Sequence, residues 1–252
     1  MLLKPQSGIT YGPVRSRRLG RSLGLNILPA DRKLCNFDCR YCQYGWTDRL
    51  AAASMDPSDF PGVTKILEAV STTLRGLPEP PDYVTFSGNG EPSLHPFFGD
   101  VVEGVRELRD RLAPRARTAI LSNSSRVEDA AVRQALSRLD VRIMKLDTGT
   151  EACFRRYNRP IGDLTLEAIV RGLTLLPGVT LQALFTGGPH GNMDEPELRA
   201  WLERVAAIRP HSVQIYSLDR DAPCEDLVPA TRRQLEEIGA RVTALGFEAD
   251  VY

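Results

Sequence analysis

The sequence predicts an α/β fold in which one parallel sheet curls into a full or partial barrel. Two observations predict it. Six strand-like segments alternate with helical ones between residues 22 and 245, the order that right-handed crossovers between parallel strands produce. Each chemically suggestive cluster also follows a strand, where such a sheet places its active site.

Residues 22–28 read as the first strand, which runs through Pro29 into a loop with three cysteines. Residues 60–74 read as a helix, with Val63, Ile66, Leu67 and Val70 at helical spacing. Residues 83–87 form the second strand and end in the turn Gly88-Asn89-Gly90-Glu91. A helix over 97–112, a third strand over 118–122 and a helix over 127–139 follow. The fourth strand is 141–146, and the helix over 165–176 is stopped by Pro177 and Gly178. The fifth strand is 180–185, and Pro196 suits the first turn of a helix over 195–208. A sixth strand over 212–218 and a helix over 231–245, closed by Gly246, complete the order. The predicted organisation is one domain over 1–252: a basic segment (1–21), a barrel core (22–218), and a C-terminal loop and helix (219–252).

The chain has 252 residues, 42% apolar and 25% charged, with no formal net charge. That composition suits a soluble globular protein and gives no overall basic signature for nucleic acid. Arg15, Arg17, Arg18 and Arg21 crowd near the start, either as a solvated, salt-bridged segment or as an anion-binding one. No stretch reaches the apolar length of a membrane span, and no signal peptide is legible. The expectation is a cytoplasmic protein without a membrane partner. Five cysteines, three of them within eight residues, read as a metal site rather than a disulfide framework.

Cys35, Cys39 and Cys42 have the spacing C-x3-C-x2-C. One short loop of this kind can present three thiolates to a [4Fe-4S] cluster and leave the fourth iron open. Zinc is the alternative, but it usually takes a fourth protein ligand, and His95, His190, His211, Cys153 and Cys224 are all distant in sequence.

The cysteine motif, with an aromatic residue before its last cysteine, resembles the radical S-adenosylmethionine (SAM) superfamily signature. The segment Ser87-Gly88-Asn89-Gly90-Glu91-Pro92 resembles that superfamily's second motif. The resemblance implies a partial (β/α)6 TIM-like barrel of the radical SAM type. It also implies a [4Fe-4S] cluster on Cys35, Cys39 and Cys42, and reductive cleavage of SAM to start radical chemistry on a substrate it does not name. Gly88, Asn89, Gly90 and Glu91 are implied at the methionyl end of SAM, and Tyr41 near its adenine. Residues 11–24, 88–96 and Asn158-Arg159-Pro160 resemble prokaryotic relatives of the wyosine-type tRNA synthases. Those synthases carry a second cluster. Here Cys153 and Cys224 are isolated from each other and from the motif, a departure that separates this chain from them. The partners implied are a reductant protein such as a flavodoxin or ferredoxin, and a small-molecule or RNA substrate. An RNA-modifying enzyme and a non-catalytic zinc- or cluster-binding protein are the competing readings.

Further candidates come from strand alternation. On the fourth strand Met144 and Leu146 should face the helices, with Lys145 and Asp147 facing the interior. Lys145 is the only lysine on a predicted strand, and burying it demands a partner or a function. Asn123 and Asp147 are candidate cofactor-binding residues, with Ser122, Gln182 and Gln214 available to hydrogen-bond SAM or one another. Lys145, Tyr216 and Arg220 are candidate substrate contacts. His95 reads as a packing residue rather than a base.

Overall fold

Strand alternation is realised in a sheet with a parallel centre. The computed structural model describes residues 2–48, 52 and 55–252. Its strands are β1 (Thr10–Ser16), β2 (Gly20–Asn26), β3 (Tyr83–Ser87), β4 (Arg117–Ser122), β5 (Val141–Lys145), β6 (Val179–Leu184), β7 (Thr186–Gly187), β8 (Ser212–Tyr216), β9 (Val228–Pro229) and β10 (Glu248–Val251). Its helices are α1 (Val63–Gly76), α2 (Phe98–Leu112), α3 (Ala130–Ser137), α4 (Glu151–Tyr157), α5 (Leu166–Thr174), α6 (Glu195–Ile208) and α7 (Arg232–Ala244). The main sheet has the order β1-β2-β3-β4-β5-β6-β8-β10. All its neighbours are parallel except β1, which pairs antiparallel with β2. Strands β7 and β9 form a separate small ribbon. Among the described residues, no helix is long and apolar enough to cross a membrane.

One face of the sheet is apolar. Leu23, Leu25, Val84, Phe86, Ile120, Met144, Leu181 and Ile215 are buried in the main core. The other face carries polar pairs between neighbouring strands: Ser22 with Thr85 (2.7 Å), Thr180 with Ser212 (3.1 Å), and Gln182 donating to Gln214 (3.0 Å). These bonds meet the requirement that buried polar groups be paired. Leu19, Ala119 and Ile143 form a small separate apolar floor on this inner face. Leu121 shares that face two residues beyond Ala119, yet is 36% exposed. Open space therefore lies above the floor, toward the carboxyl ends of the strands.

The partial barrel is completed by side chains. The turn between β1 and β2 sets Leu19 against Ala119 and Ile143. Arg17 pairs with Asp219 beyond β8, and Arg18 lies over the rings of Tyr216 and Tyr252. The first hairpin thus spans the seam between the two ends of the sheet.

Two segments expected to flank the barrel extend its sheet instead. Residues 1–21 contribute β1 and the start of β2, and residues 219–252 contribute β10. Gly12 and Pro13 interrupt the alternation of β1, and an edge strand is where proline is tolerated. Strand β10 has only four residues, too few to show a period. Helix α4 also went unpredicted. Its seven residues begin at Glu151, after the cap Thr150, whose hydroxyl accepts the Cys153 amide, so a cap rather than an apolar stripe defines it.

Candidate active site

The cysteine loop leaves β2 and is docked by backbone hydrogen bonds to two other segments. The Leu34 amide donates to the Asn89 carbonyl (2.7 Å), and the Glu91 amide donates to the Leu34 carbonyl (3.1 Å). These bonds form a short parallel bridge between Leu34 and Gly90. On the other side Phe37 bridges to Pro160. There the Asp38 amide donates to the Asn158 carbonyl (3.1 Å), and the Ile161 amide donates to the Asn36 carbonyl (2.9 Å). Asp38 is buried, accepts from the Thr47 amide (2.7 Å) and pairs with Arg159 (3.1 Å). Loop shape is therefore set by residues far away in sequence.

The turn after β3 is glycine-dependent at two positions. Gly88 has φ +109° and Gly90 φ +144°, a region that side chains disfavour. A β-carbon on Gly90 would also strike the Leu34 carbonyl, and one on Gly88 would meet the Asn26 side chain at 2.7 Å. The side chains of this turn are committed to the protein. Asn89 donates to the Gln6 and Pro29 carbonyls (2.9 and 2.8 Å) and accepts the Gln6 amide (2.6 Å). Glu91 is buried and accepts from Ser93, from the Ser122 hydroxyl (2.9 Å) and from the Asn123 amide (2.5 Å). Burial raises the Glu91 pKa, and these donors oppose it. Asn123 extends the network toward the thiols, donating from its amide to Cys35 Sγ (3.5 Å) and Asn36 (3.0 Å).

The thiols lie near one another. Cys35 and Cys39 are buried and Cys42 is half-buried. Burial pushes the Cys35 thiol up to about 12 and the Cys39 thiol up to about 11. Cys39 accepts from the Asn158 side-chain amide (3.6 Å). Lys33 stands among the three thiols and donates to the Gly45 carbonyl (2.7 Å). Burial opposes its charge, but the neighbouring Cys42, Cys35 and Cys39 outweigh that effect and hold its pKa above the ordinary lysine value. Among the described residues, no three His, Cys, Asp or Glu side chains converge on a single-ion site. Thiolates on three corners of a cubane each bind a different iron, so they need no common point. Three soft donors in one loop, with N–H groups directed at two of the sulfurs, fit such a cluster. Loading it would displace the thiol protons.

Asp147 joins the cysteine loop to the barrel wall. It accepts from the Tyr41 hydroxyl, the Asn158 side-chain amide (2.8 Å) and the Leu184 amide (2.9 Å), and pairs with Lys145 (3.2 Å). Lys145 also donates to the Tyr216 hydroxyl (2.9 Å), which is near Gln182 (3.3 Å). Lys145 and Asp147 thus face the interior, as alternation predicts. Burial lowers the Lys145 pKa, but Asp147 and Tyr216 prevail and raise it above the ordinary value. Burial, followed by the charge of Asp147, pushes the Tyr41 pKa well up.

Cys35, Cys39, Cys42, Tyr41, Asn123, Asp147, Lys145, Tyr216 and the residue 88–91 turn are thus brought to one end of the barrel. Arg220 is exposed on the loop after β8, and its neighbour Asp219 takes Arg17 as partner. Cys153 and Cys224 are buried, accepting from Arg156 (3.4 Å) and Arg40 (3.5 Å). Sequence reasoning did not single out Lys33, Asn158 or Asn26 as site residues. The Asn158-Arg159-Pro160 resemblance was the available signal for the second.

His95 packs as expected. Its Nε2 donates to the Pro61 carbonyl (3.0 Å), and its Nδ1 accepts the Phe97 amide (3.1 Å). Burial lowers its pKa from the ordinary 6.5, against the pull of Pro61. The unfolded chain takes a proton that the folded chain resists. The ring's contribution to stability is therefore complete above about pH 6.5 and is lost as the pH falls below it. Urea titrations at descending pH should show that loss in the wild type and a flatter profile in His95→Asn. Equal slopes would refute it.

Residues 33–202 match the radical SAM superfamily. This chain belongs to that superfamily. Among curated proteins it is similar to the UPF0026 protein slr1464 of Synechocystis sp., 34% identical over 85% of this chain and 77% of the relative. It is also similar to the UPF0026 protein MJ1312 of Methanocaldococcus jannaschii, 36% identical over 66% of this chain and 48% of the relative. Its fold is similar to that of Streptococcus suis SuiB bound to S-adenosylmethionine, with TM-score 0.63 and 10% identity over 88% of this chain. The chain spans about half of SuiB, 48% of its length. TYW1 with a lysine–pyruvate adduct bound shares the fold too, with TM-score 0.59 and 14% identity over 89% of this chain and 73% of that one.

Proposed function

We propose that the chain is a radical SAM enzyme that holds a [4Fe-4S] cluster on Cys35, Cys39 and Cys42 and uses SAM to start radical chemistry on a substrate in the barrel. The observation that carries this reading is the backbone bridge between Leu34 and Gly90, which fixes the two superfamily motifs against each other at the carboxyl rim. When bound, the cluster supplies one-electron reductive cleavage of SAM. The chain's own residues shape the place where that happens. Gly88 and Gly90 let the turn pack against Asn26 and the Leu34 carbonyl without a β-carbon between, which sets its backbone in place. The side chains of Asn89 and Glu91 hold this turn in place, which leaves its backbone as the SAM contact. Asn123 and Asn158 direct N–H groups at Cys35 and Cys39. Tyr41 is fixed by Asp147 as one wall of the chamber. The electron comes from a small redox protein, a flavodoxin or ferredoxin. Arg17 and Arg21 are committed to Asp219 and Glu79, which weakens the N-terminal segment as a basic surface for RNA.

Anaerobic reconstitution with iron and sulfide tests the reading. It should give about four irons per chain, and addition of SAM and dithionite should yield 5′-deoxyadenosine. Zinc in place of iron, with no SAM binding, would make a metal-binding protein the better description.

A further inference from the structure

Of the four arginines crowded near the start, one enters the barrel. Arg17 and Arg21 end in ion pairs with carboxylates. Arg18 is half-buried, and its guanidinium lies 4.6 Å from the Tyr216 ring centre and 5.5 Å from that of Tyr252. Among the described residues, no carboxylate or carbonyl accepts from that guanidinium, and its contacts are the two ring faces. Ring faces hold a cation in place but leave its five in-plane N–H donors unused. A half-buried arginine with unspent donors is prepared to bind an anion, because bidentate recognition of carboxylate or phosphate uses that planar fork.

A second cation shares the same ring. Lys145 Nζ lies 5.1 Å from the Tyr216 centre and donates to the Tyr216 hydroxyl. Its pairing with Asp147 uses one more of its three donors. Asp147 pairs with Lys145 alone, so Arg18 is the cation of the two whose guanidinium has no carboxylate hydrogen-bonded to it among the described residues. Leu121 pairs with Ile143, two residues before Lys145 on the same face, and Arg18 directly precedes Leu19 of the apolar floor.

We propose that Arg18, with Lys145 and Tyr216, forms an anion subsite that holds the carboxylate or phosphate group of a small-molecule substrate inside the barrel. This inference rests on reading the chamber as a radical SAM site, and it names the class of substrate that site takes. Tyr216 separates the two cations and keeps both facing the chamber. The anionic group docks against Arg18, and the rest of the substrate extends over Leu121 toward the cysteine loop.

The test uses the full chain, reconstituted and loaded with SAM, at low ionic strength. Malonate and inorganic phosphate serve as separate probes, followed by calorimetry and by ³¹P line broadening for phosphate. The wild type should bind at least one probe, and the preferred probe distinguishes a carboxylate from a phosphate substrate. Arg18→Met should weaken that binding by about tenfold or more, the loss of a charge-assisted partner. Arg18→Lys, which keeps the charge, should recover part of it. Arg233→Met, at an 89% exposed side chain paired with Glu237, should leave binding unchanged. Circular dichroism confirms that each variant is folded. Absence of binding to either probe in the wild type overturns the subsite, as does equal binding by Arg18→Met and Arg233→Met. Failure of the underlying reading is separate: the wild type would make no 5′-deoxyadenosine, whatever the probes do.

Discussion

Gly90→Ala should give a folded protein that loads several-fold less iron. The Gly90 φ of +144° costs a non-glycine residue about 1–3 kcal/mol. The larger effect is steric. The new methyl would occupy the position of the Leu34 carbonyl, so the bridge that docks the cysteine loop must open. Cys35 is the residue after Leu34 and moves with it. Because the bridge joins two loops above the sheet, the core of Leu23, Phe86 and Ile120 is untouched. The expected result is a several-fold fall in iron per chain and in 5′-deoxyadenosine, with a near-native circular dichroism spectrum. Gly99→Ala is the control. Gly99 lies in α2, where an added β-carbon meets nothing, and alanine favours a helix. If Gly90→Ala takes up iron as the wild type does, the bridge is not what positions the ligands.

Asp147→Ala should be the most destabilising single change in the site. Its carboxylate is buried and holds Tyr41, Asn158, the Leu184 amide and Lys145 together. Removing it leaves a nearly buried ammonium and three donors without their acceptor. Loss of one partner of such a pair costs about 3–5 kcal/mol. Lys145→Met should cost less, because Asp147 keeps its other three donors. Adding Lys145→Met to Asp147→Ala should recover part of the loss, since the stranded charge is then gone. A double-mutant cycle in urea measures this as a coupling of about 1 kcal/mol or more. Strict additivity would mean that Asp147 supports Tyr41 and Asn158 but gains nothing from Lys145.

The parallel centre was legible because it rests on local signals. Alternation located β3 at residues 83–87, and Pro196 with a helical stripe located α6 at 195–208. The cysteines and the glycine turn were legible as motifs, and Lys145 and Asp147 faced inward as alternation required. Long-range docking was hidden. Nothing near Arg18 in the chain announces Tyr216, on β8, and Tyr252, just after β10, at the other end of the sheet. Asn158 reaches Cys39 and Asp147 only because α4 places it beside the cysteine loop, and α4 is too short for a visible period. Asn89 and Glu91 show a different gap. Their place in a motif was evident, but the direction of their side chains, toward the protein, depends on Gln6, Pro29, Ser122 and Asn123.

The join between the first hairpin and the end of the sheet sets how large a guest the chamber can admit. Among the described residues it contains no strand-to-strand hydrogen bonds. Its outer fastening, Arg17 with Asp219, is exposed on both sides at 59% and 54%, and pairs of that kind contribute only about 0–1 kcal/mol. Every other boundary between neighbouring strands is a hydrogen-bonded ladder. The barrel can therefore breathe most cheaply along this one line, and the chamber's width is adjustable there.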